Sequence, residues 1–424
     1  MAFSSSSRAV SVTPTAWASR LAPLAFALAC AACTGGAAED EGDGTDEGTL
    51  PPQACADPGS PLLDSAKPAG EPDGTFDFTC TGGWGSDAPT RDATWTVELP
   101  WLGSDFGFSG TSLQAHPGGG VVLAHDGLFA RLDPDGALLW NKPTAIPIEA
   151  RAVMAVEPAG TILVAVYDWN SSASTVDRYD ADGNLLEAVS LPFNDANGGE
   201  VWALVPSAGE LLVGAYDSDQ FGSYETTLLR LDGAGNLLLR KSTSTTNDGL
   251  LAANADTIVF GRFPTFLLTR DNGSVLGNLT PSSGQPLNVA GYGSDFVAGT
   301  TANGDFSVGR YSSAGVEQWL RSYDRANVGG DAVRAIAADA DGGIVAAGAI
   351  GSLTFNGWWF NNQPQVFALD ADGNAVWADR IDAIGEANGV VFSDGAVYVT
   401  GVAEGESSGG NQPPLLRWLR RYDP

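Results

Sequence analysis

The chain has 424 residues, enough for two or three average domains or for one large closed all-β unit. Charged residues are only 17% of it, yet 51 acids against 21 bases leave a formal charge of −30. That balance argues against nucleic-acid binding and against attachment through anionic lipid headgroups, because nothing in the chain neutralises a run of phosphates. With 54 Gly and 24 Pro the chain is too turn-rich for a helical bundle, and two His and four Cys leave little for metal chemistry.

The N-terminus carries Arg8 and Arg20 with no acid before Glu39, followed by the apolar stretch from Leu21 to Cys33. A basic segment, a short apolar core and small residues at its end predict a signal peptide over 1–32; the core is too short to span a bilayer. The ending Ala-Leu-Ala-Cys30-Ala-Ala-Cys33 resembles the lipobox of bacterial lipoproteins, which implies that Cys33, or Cys30, carries the lipid. Lipidation at Cys33 leaves Cys55 and Cys80 to pair as a disulfide. The resemblance further implies an exported protein held by its acyl anchor in the outer membrane or at the surface of a Gram-negative cell. Residues 33–49 contain six acids, repeated Gly and no aromatic residue, and so read as an extended tether. Residues 50–92 form a small Pro- and Gly-rich lead-in holding Cys55 and Cys80.

From residue 93 the chain is periodic. Arg131-Leu-Asp-Pro-Asp-Gly136 recurs as Arg178-Tyr-Asp-Ala-Asp-Gly183, Arg230-Leu-Asp-Gly-Ala-Gly235 and Ala368-Leu-Asp-Ala-Asp-Gly373, with weaker copies ending at Gly273 and Gly315. The turn glycines are 47, 52, 38, 42 and 58 residues apart. Asp opens such a turn by accepting from amides further along it, and Gly closes it at positive φ, so each copy marks a hairpin. Each hairpin follows another pair of alternating, β-branched stretches, giving four strands per repeat. The terminal Leu415–Pro424 is a seventh strand stopping where its turn should begin, and Ala93–Pro100, Trp95 included, looks like the strand that follows such a turn. The expectation over 93–424 is therefore an all-β, seven-bladed β-propeller of four-stranded blades, closed by pairing of its N- and C-terminal strands. The 58-residue interval leaves room for an extra strand pair, or for an eighth blade.

The stretch from Gln365 to Trp377 and on from Glu386 to Gly401 resembles the SBBP-type β-propeller repeat of exported bacterial proteins. That resemblance implies fold and location and no single activity. Ala368, Asp370, Gly373 and Trp377 are also similar to the repeat of quinone-dependent dehydrogenase propellers, which makes such an enzyme the alternative reading. An outer-membrane assembly scaffold is another, since assembly lipoproteins share the architecture.

Candidate chemistry is sparse. His116 and His125 both flank turns of the first blade and predict no catalytic residue. Pairs of acids at Asp133 and Asp135, Asp180 and Asp182, and Asp370 and Asp372 are weak calcium candidates, each lacking a third acid, so turn formation is the expected role. No cofactor or other metal is expected. The arginines at 131, 178, 230, 310 and 421 are expected to pair with the Asp of the neighbouring blade. Trp358-Trp359-Phe360, flanked by Asn and Gln, cannot all point inward in a strand, because side chains alternate. They mark a contact for carbohydrate or protein, or else pack beneath their own insertion. The function read from the sequence is a non-catalytic binding or structural module at the cell envelope.

Overall fold

The computed structural model describes residues 91–99 and 112–424 apart from short loop segments, together with strands at Cys55–Ala56 and Asp77–Thr81. The described residues from 91 onward form seven four-stranded antiparallel sheets. Blade one comprises Ser112–Ala115, Val121–His125, Leu128–Leu132 and Leu138–Pro143. Blade two follows with Val153–Val156, Ile162–Asp168, Ala173–Tyr179 and Leu185–Ser190. Blade three has Gly199–Ser207, Glu210–Ser218, Tyr224–Leu231 and Leu237–Thr243. Blade four has Leu250–Ala253, Thr257–Gly261, Phe266–Thr269 and Val275–Asn278. Blade five has Gln285–Tyr292, Asp295–Ala302, Asp305–Tyr311 and Glu317–Arg325. Blade six has Ala332–Ala338, Ile344–Ile350, Gln363–Leu369 and Ala375–Arg380. Blade seven combines Gly385–Ser393, Ala396–Glu404 and Leu415–Tyr422 with the N-terminal strand Trp95–Glu98.

The first strand of each blade touches the first strand of the next, and that of blade seven touches that of blade one, so the inner strands close a ring. The chain is a seven-bladed β-propeller. Closure is as the split repeat predicts: Trp95 pairs with Arg421 and Glu98 with Trp418, antiparallel. Flanking amides extend the pairing, Thr94 donating to the Arg421 carbonyl and Leu99 to that of Arg417.

Because successive side chains leave a strand on opposite faces, each blade is apolar on both faces and packs on both neighbours. The buried residues accordingly form seven clusters, one at each seam between blades. In blade one, for instance, Val122 and Ala124 pack toward blade two, while Val121 and Leu123 pack toward blade seven. A lone blade has nothing to cover either face, so stability belongs to the closed set.

Two features lie outside the repeat. The 58-residue interval holds a hairpin of Leu353–Phe355 with Trp358–Phe360, inserted between the second and third strands of blade six, and no eighth blade. Asp77–Thr81 adds to the outer strand of blade five, with Cys80 opposite Tyr323, and Cys55–Ala56 pairs with it in turn. The lead-in therefore contributes strand to the propeller, which its composition did not announce. Among the described residues no helix is long and apolar enough to cross a membrane.

Candidate functional site

The two ends of the ring differ in construction. At one end lie the turns joining first to second and third to fourth strands, and these are tight. In blade two, Asp180 Oδ1 accepts from the amides of Asp182 and Asn184, at 2.9 and 2.8 Å, and Oδ2 accepts from the Asn184 side chain. Asp370 repeats this with Asp372 and Asn374, and Asp133 accepts from the amides of Asp135 and Ala137. The leading carboxylate of each calcium candidate is thus engaged in holding its own turn. Among the described residues no group of three or more His, Cys, Asp or Glu is placed to hold a metal ion.

Five of the turns between third and fourth strands are also gripped by an arginine of the preceding blade. Arg131 donates to the Ala181 carbonyl at 3.1 Å, Arg178 to Gly233 at 3.0 Å, Arg310 to Ala371 at 3.1 Å and Arg421 to Pro134 at 2.6 Å. Arg230 reaches the carbonyls of Arg270 and Asp271. The expected pairing of these arginines with the next blade's Asp is therefore corrected: they bond the next blade's turn backbone. Their ionic partners, where present, lie in their own blade or strand end, as with Arg178 and Glu157, Arg310 and Asp295, and Arg421 and Asp423. The Asp carboxylates are already committed to turn amides, which leaves the outward carbonyl as the acceptor. Trp140, Trp319 and Trp95 donate their indole N–H to these same carbonyls, of Ala181, Ala371 and Pro134. Gly183 and Gly373 have φ of +71° and +78°, and a Cβ on either would stand about 3 Å from the indole of Trp140 or Trp319. Glycine therefore serves both the turn and the seam.

Titration of the turns has a definite sign. Amide and side-chain donors from Asn184 hold the Asp180 carboxyl below the usual carboxylate range, and Asn236 does the same for Asp232. A carboxyl depressed by folding contributes stability that is fully present above its unfolded pKa and lost as pH falls through the folded value. Burial pushes Asp379 and Glu386 the other way, so that their ionised forms cost stability at neutral pH. The melting temperature is expected to hold down to about pH 5 and to fall below about pH 4 as the turns protonate. A melting curve unchanged at about pH 3 would contradict this account of the turns.

His116 and His125 are both buried. His116 Nδ1 accepts the Gly118 amide at 2.9 Å, and burial with the nearby Arg131 charge holds its pKa below the usual histidine range. It is a neutral turn residue, and His125 closes the second strand of blade one. Trp377 of the blade-six motif stacks on Tyr422 of blade seven at 5.0 Å, while the turn of its own motif is gripped by Trp319. Tyr422 and Arg420 also donate to the buried Asp379, so this seam, where blade seven has no turn to grip, is closed by a polar cluster.

At the other end emerge the connections between second and third strands and between blades. There the blade-six hairpin carries Trp358, Trp359 and Phe360 as backbone strand; their side chains lie outside the described residues. So do the side chains of Cys55 and Cys80, and all of Cys30 and Cys33. The same end of blades six and seven holds a pair the sequence analysis passed over. Arg334 Nε donates to Glu386 Oε2 at 3.0 Å, joining two inner strands. The signal available was a single charge in each of two otherwise apolar stretches, Val333-Arg-Ala335 and Gly385-Glu-Ala387.

No family model matches the chain, and no curated protein does. Among solved structures it is similar to a protein of unknown function from Bacteroides caccae, at 16% identity over 64% of this chain and 94% of that one, with a TM-score of 0.43. It is likewise similar to the β-propeller domain of Cps50 (Swd1) from Myceliophteria thermophila, at 10% identity over 77% and 99% of the two chains, TM-score 0.48. A third is BamB from Moraxella catarrhalis, at 12% identity over 78% and 97%, TM-score 0.41. These are likenesses of chain path, and no ligand or partner is carried over from them.

Proposed function

We propose that this chain is an exported, lipid-anchored propeller serving as a non-catalytic binding or structural module at the bacterial cell envelope. The observation that carries the binding role is the blade-six hairpin, placed by insertion at the end of the ring that bears the longer connections. At the opposite end the described turn Asp carboxylates hold their own turn amides, and the Arg and Trp donors hold the carbonyls of neighbouring turns, which favours recognition at the connection end. Trp358, Trp359 and Phe360 are the residues assigned to a protein or carbohydrate ligand. The anchor is supported by the leader and by the acidic segment after Cys33, which would hold the ring away from the membrane. Under this reading Cys55 and Cys80 form a disulfide in the lead-in.

The anchor is tested by mass spectrometry of the mature protein. The expected N-terminus is an acylated Cys33, or Cys30, and an unmodified Thr34 or Ala31 there would overturn the lipoprotein assignment.

A further inference from the structure

We infer that the outer rim of blades one to four, at the turn end, is a second interaction surface, suited to a basic amphipathic segment of another protein. The face is independent of the anchor and of the hairpin at the opposite end. With the turn Asp, Arg and Trp groups bonded within the ring, what this end still offers a partner is mainly aliphatic.

A repeated bulge builds the surface. Leu132 pairs with Leu138 and Arg131 with Trp140, so Leu139 is an extra residue at the start of the outer strand. Leu186, Leu238 and Leu276 are the extra residues of the same bulge in blades two, three and four. A regular strand would turn one of two successive side chains inward. The bulge sets two residues opposite one and breaks that alternation. Each extra residue and the aliphatic residue before it are consequently both exposed, by 43% to 61% across the four blades. The turn of the following blade lies against the same strand just beyond the pair, Gly183 against Trp140 and Gly273 against Leu239. Aliphatic pairs and turns therefore alternate along this stretch of rim.

The fold does not require these side chains. Blade five makes the same bulge with Glu317 and Gln318, where Gln318 is the extra residue. Polar residues therefore fit the position, and the leucines of the other blades contribute apolar surface that folding leaves uncovered. Extended apolar surface of this kind marks contact with another molecule.

Charge selects the occupant. Within residues 131–142, 178–189, 230–241 and 269–278 the exposed charged residues are Asp135, Asp182, Glu187 and Asp271, all acids. Every Arg and Lys in the same segments is at least partly buried. A second copy docked through this face would set these carboxylates against their own kind. The acidic segment 33–49 and an anionic bilayer are repelled for the same reason. A basic segment with an apolar stripe answers both features: the stripe covers the aliphatic pairs and its flanking cations meet the acids.

The test is fluorescence anisotropy of a labelled amphipathic Leu/Lys peptide of helical period, titrated with the full chain. A scrambled Leu/Lys peptide and an amphipathic Leu/Glu peptide serve as controls. The Leu/Lys peptide is expected to bind, the scrambled one at least about tenfold more weakly, and the Leu/Glu peptide not at all. The combined variant Leu139→Gln, Leu186→Gln, Leu238→Gln and Leu276→Gln copies the blade-five residue Gln318. It is expected to melt as the wild type does and to lose at least about tenfold in affinity. Asp135→Asn, Asp182→Asn and Asp271→Asn together are expected to weaken binding at low salt and to match the wild type at high salt. Unchanged affinity of the folded leucine variant overturns the surface, and so does failure of the Leu/Lys peptide to bind. Equal binding of the scrambled peptide overturns the amphipathic partner, and equal binding of the Leu/Glu peptide overturns the basic one. A wild-type dimer in sedimentation velocity that the leucine variant does not form gives the face to a second copy and overturns the proposal. Flotation with phosphatidylcholine vesicles that only the leucine variant loses gives it to lipid, with the same consequence.

Discussion

Removal of residues 93–99 is expected to destabilise the propeller by about 5 kcal/mol or more and to abolish its cooperative thermal transition. The strand is short, but it completes both a sheet and a seam. Its loss leaves Leu415–Tyr422 as a bare edge and removes the bonds of Thr94 and Leu99 to the Arg421 and Arg417 carbonyls. It also removes Leu99, which is fully buried, and the Trp95 indole that bonds the Pro134 carbonyl and covers Gly136 of blade one. Burial of one such leucine contributes about 1.5–3 kcal/mol, and each lost bond about 1 kcal/mol. These sums are comparable with the whole margin by which a domain is stable. Circular dichroism on heating, with gel filtration to detect expansion, would report the loss. A truncated chain that melts cooperatively at the wild-type temperature would contradict the prediction.

Phe306→Ala is expected to cost about 3–5 kcal/mol, the range for emptying a large buried aromatic site. Phe306 is fully buried at the seam of blades five and six, edge-on to Phe367 at 5.0 Å. Gly348 lies against it so closely that a Cβ there would stand 2.9 Å from the ring and 2.0 Å from the Ala332 carbonyl. The backbone cannot close on the cavity without breaking the pairing of Val333 with Gly348, which limits relaxation. Seam cores differ from a single central core in one respect: damage at one seam loosens two blades and leaves the remaining seams packed. Chemical denaturation should therefore show lower stability without loss of β-sheet signal in the absence of denaturant.

The repeat was legible because its signal is local. An Asp that accepts amides along its own turn and a Gly at positive φ are determined within six residues, as in Asp180 to Gly183, and survive in a single sequence. Closure was legible for a different reason: a strand without its turn at one terminus and a matching Trp95 strand at the other complement each other. What escaped reading depends on backbone partners or on distance. The arginine donors were visible, but the carbonyls of Ala181 or Pro134 carry no residue-type signature, so the neighbouring Asp was the natural and mistaken choice. Arg334 and Glu386 stand 52 residues apart and meet only because inner strands of successive blades adjoin. The pairing of Asp77–Thr81 with blade five escaped because the surrounding Pro and Gly read as linker.

The sharpest test of a ring closed by its own termini is hydrogen exchange followed by mass spectrometry on the intact, unmutated protein. Amides of 95–98 are expected to be protected as strongly as those of 415–422, although more than three hundred residues separate them. Rapid exchange at 95–98 beside slow exchange at 396–404 would show that the seventh blade lacks its fourth strand and that the ring is not closed this way.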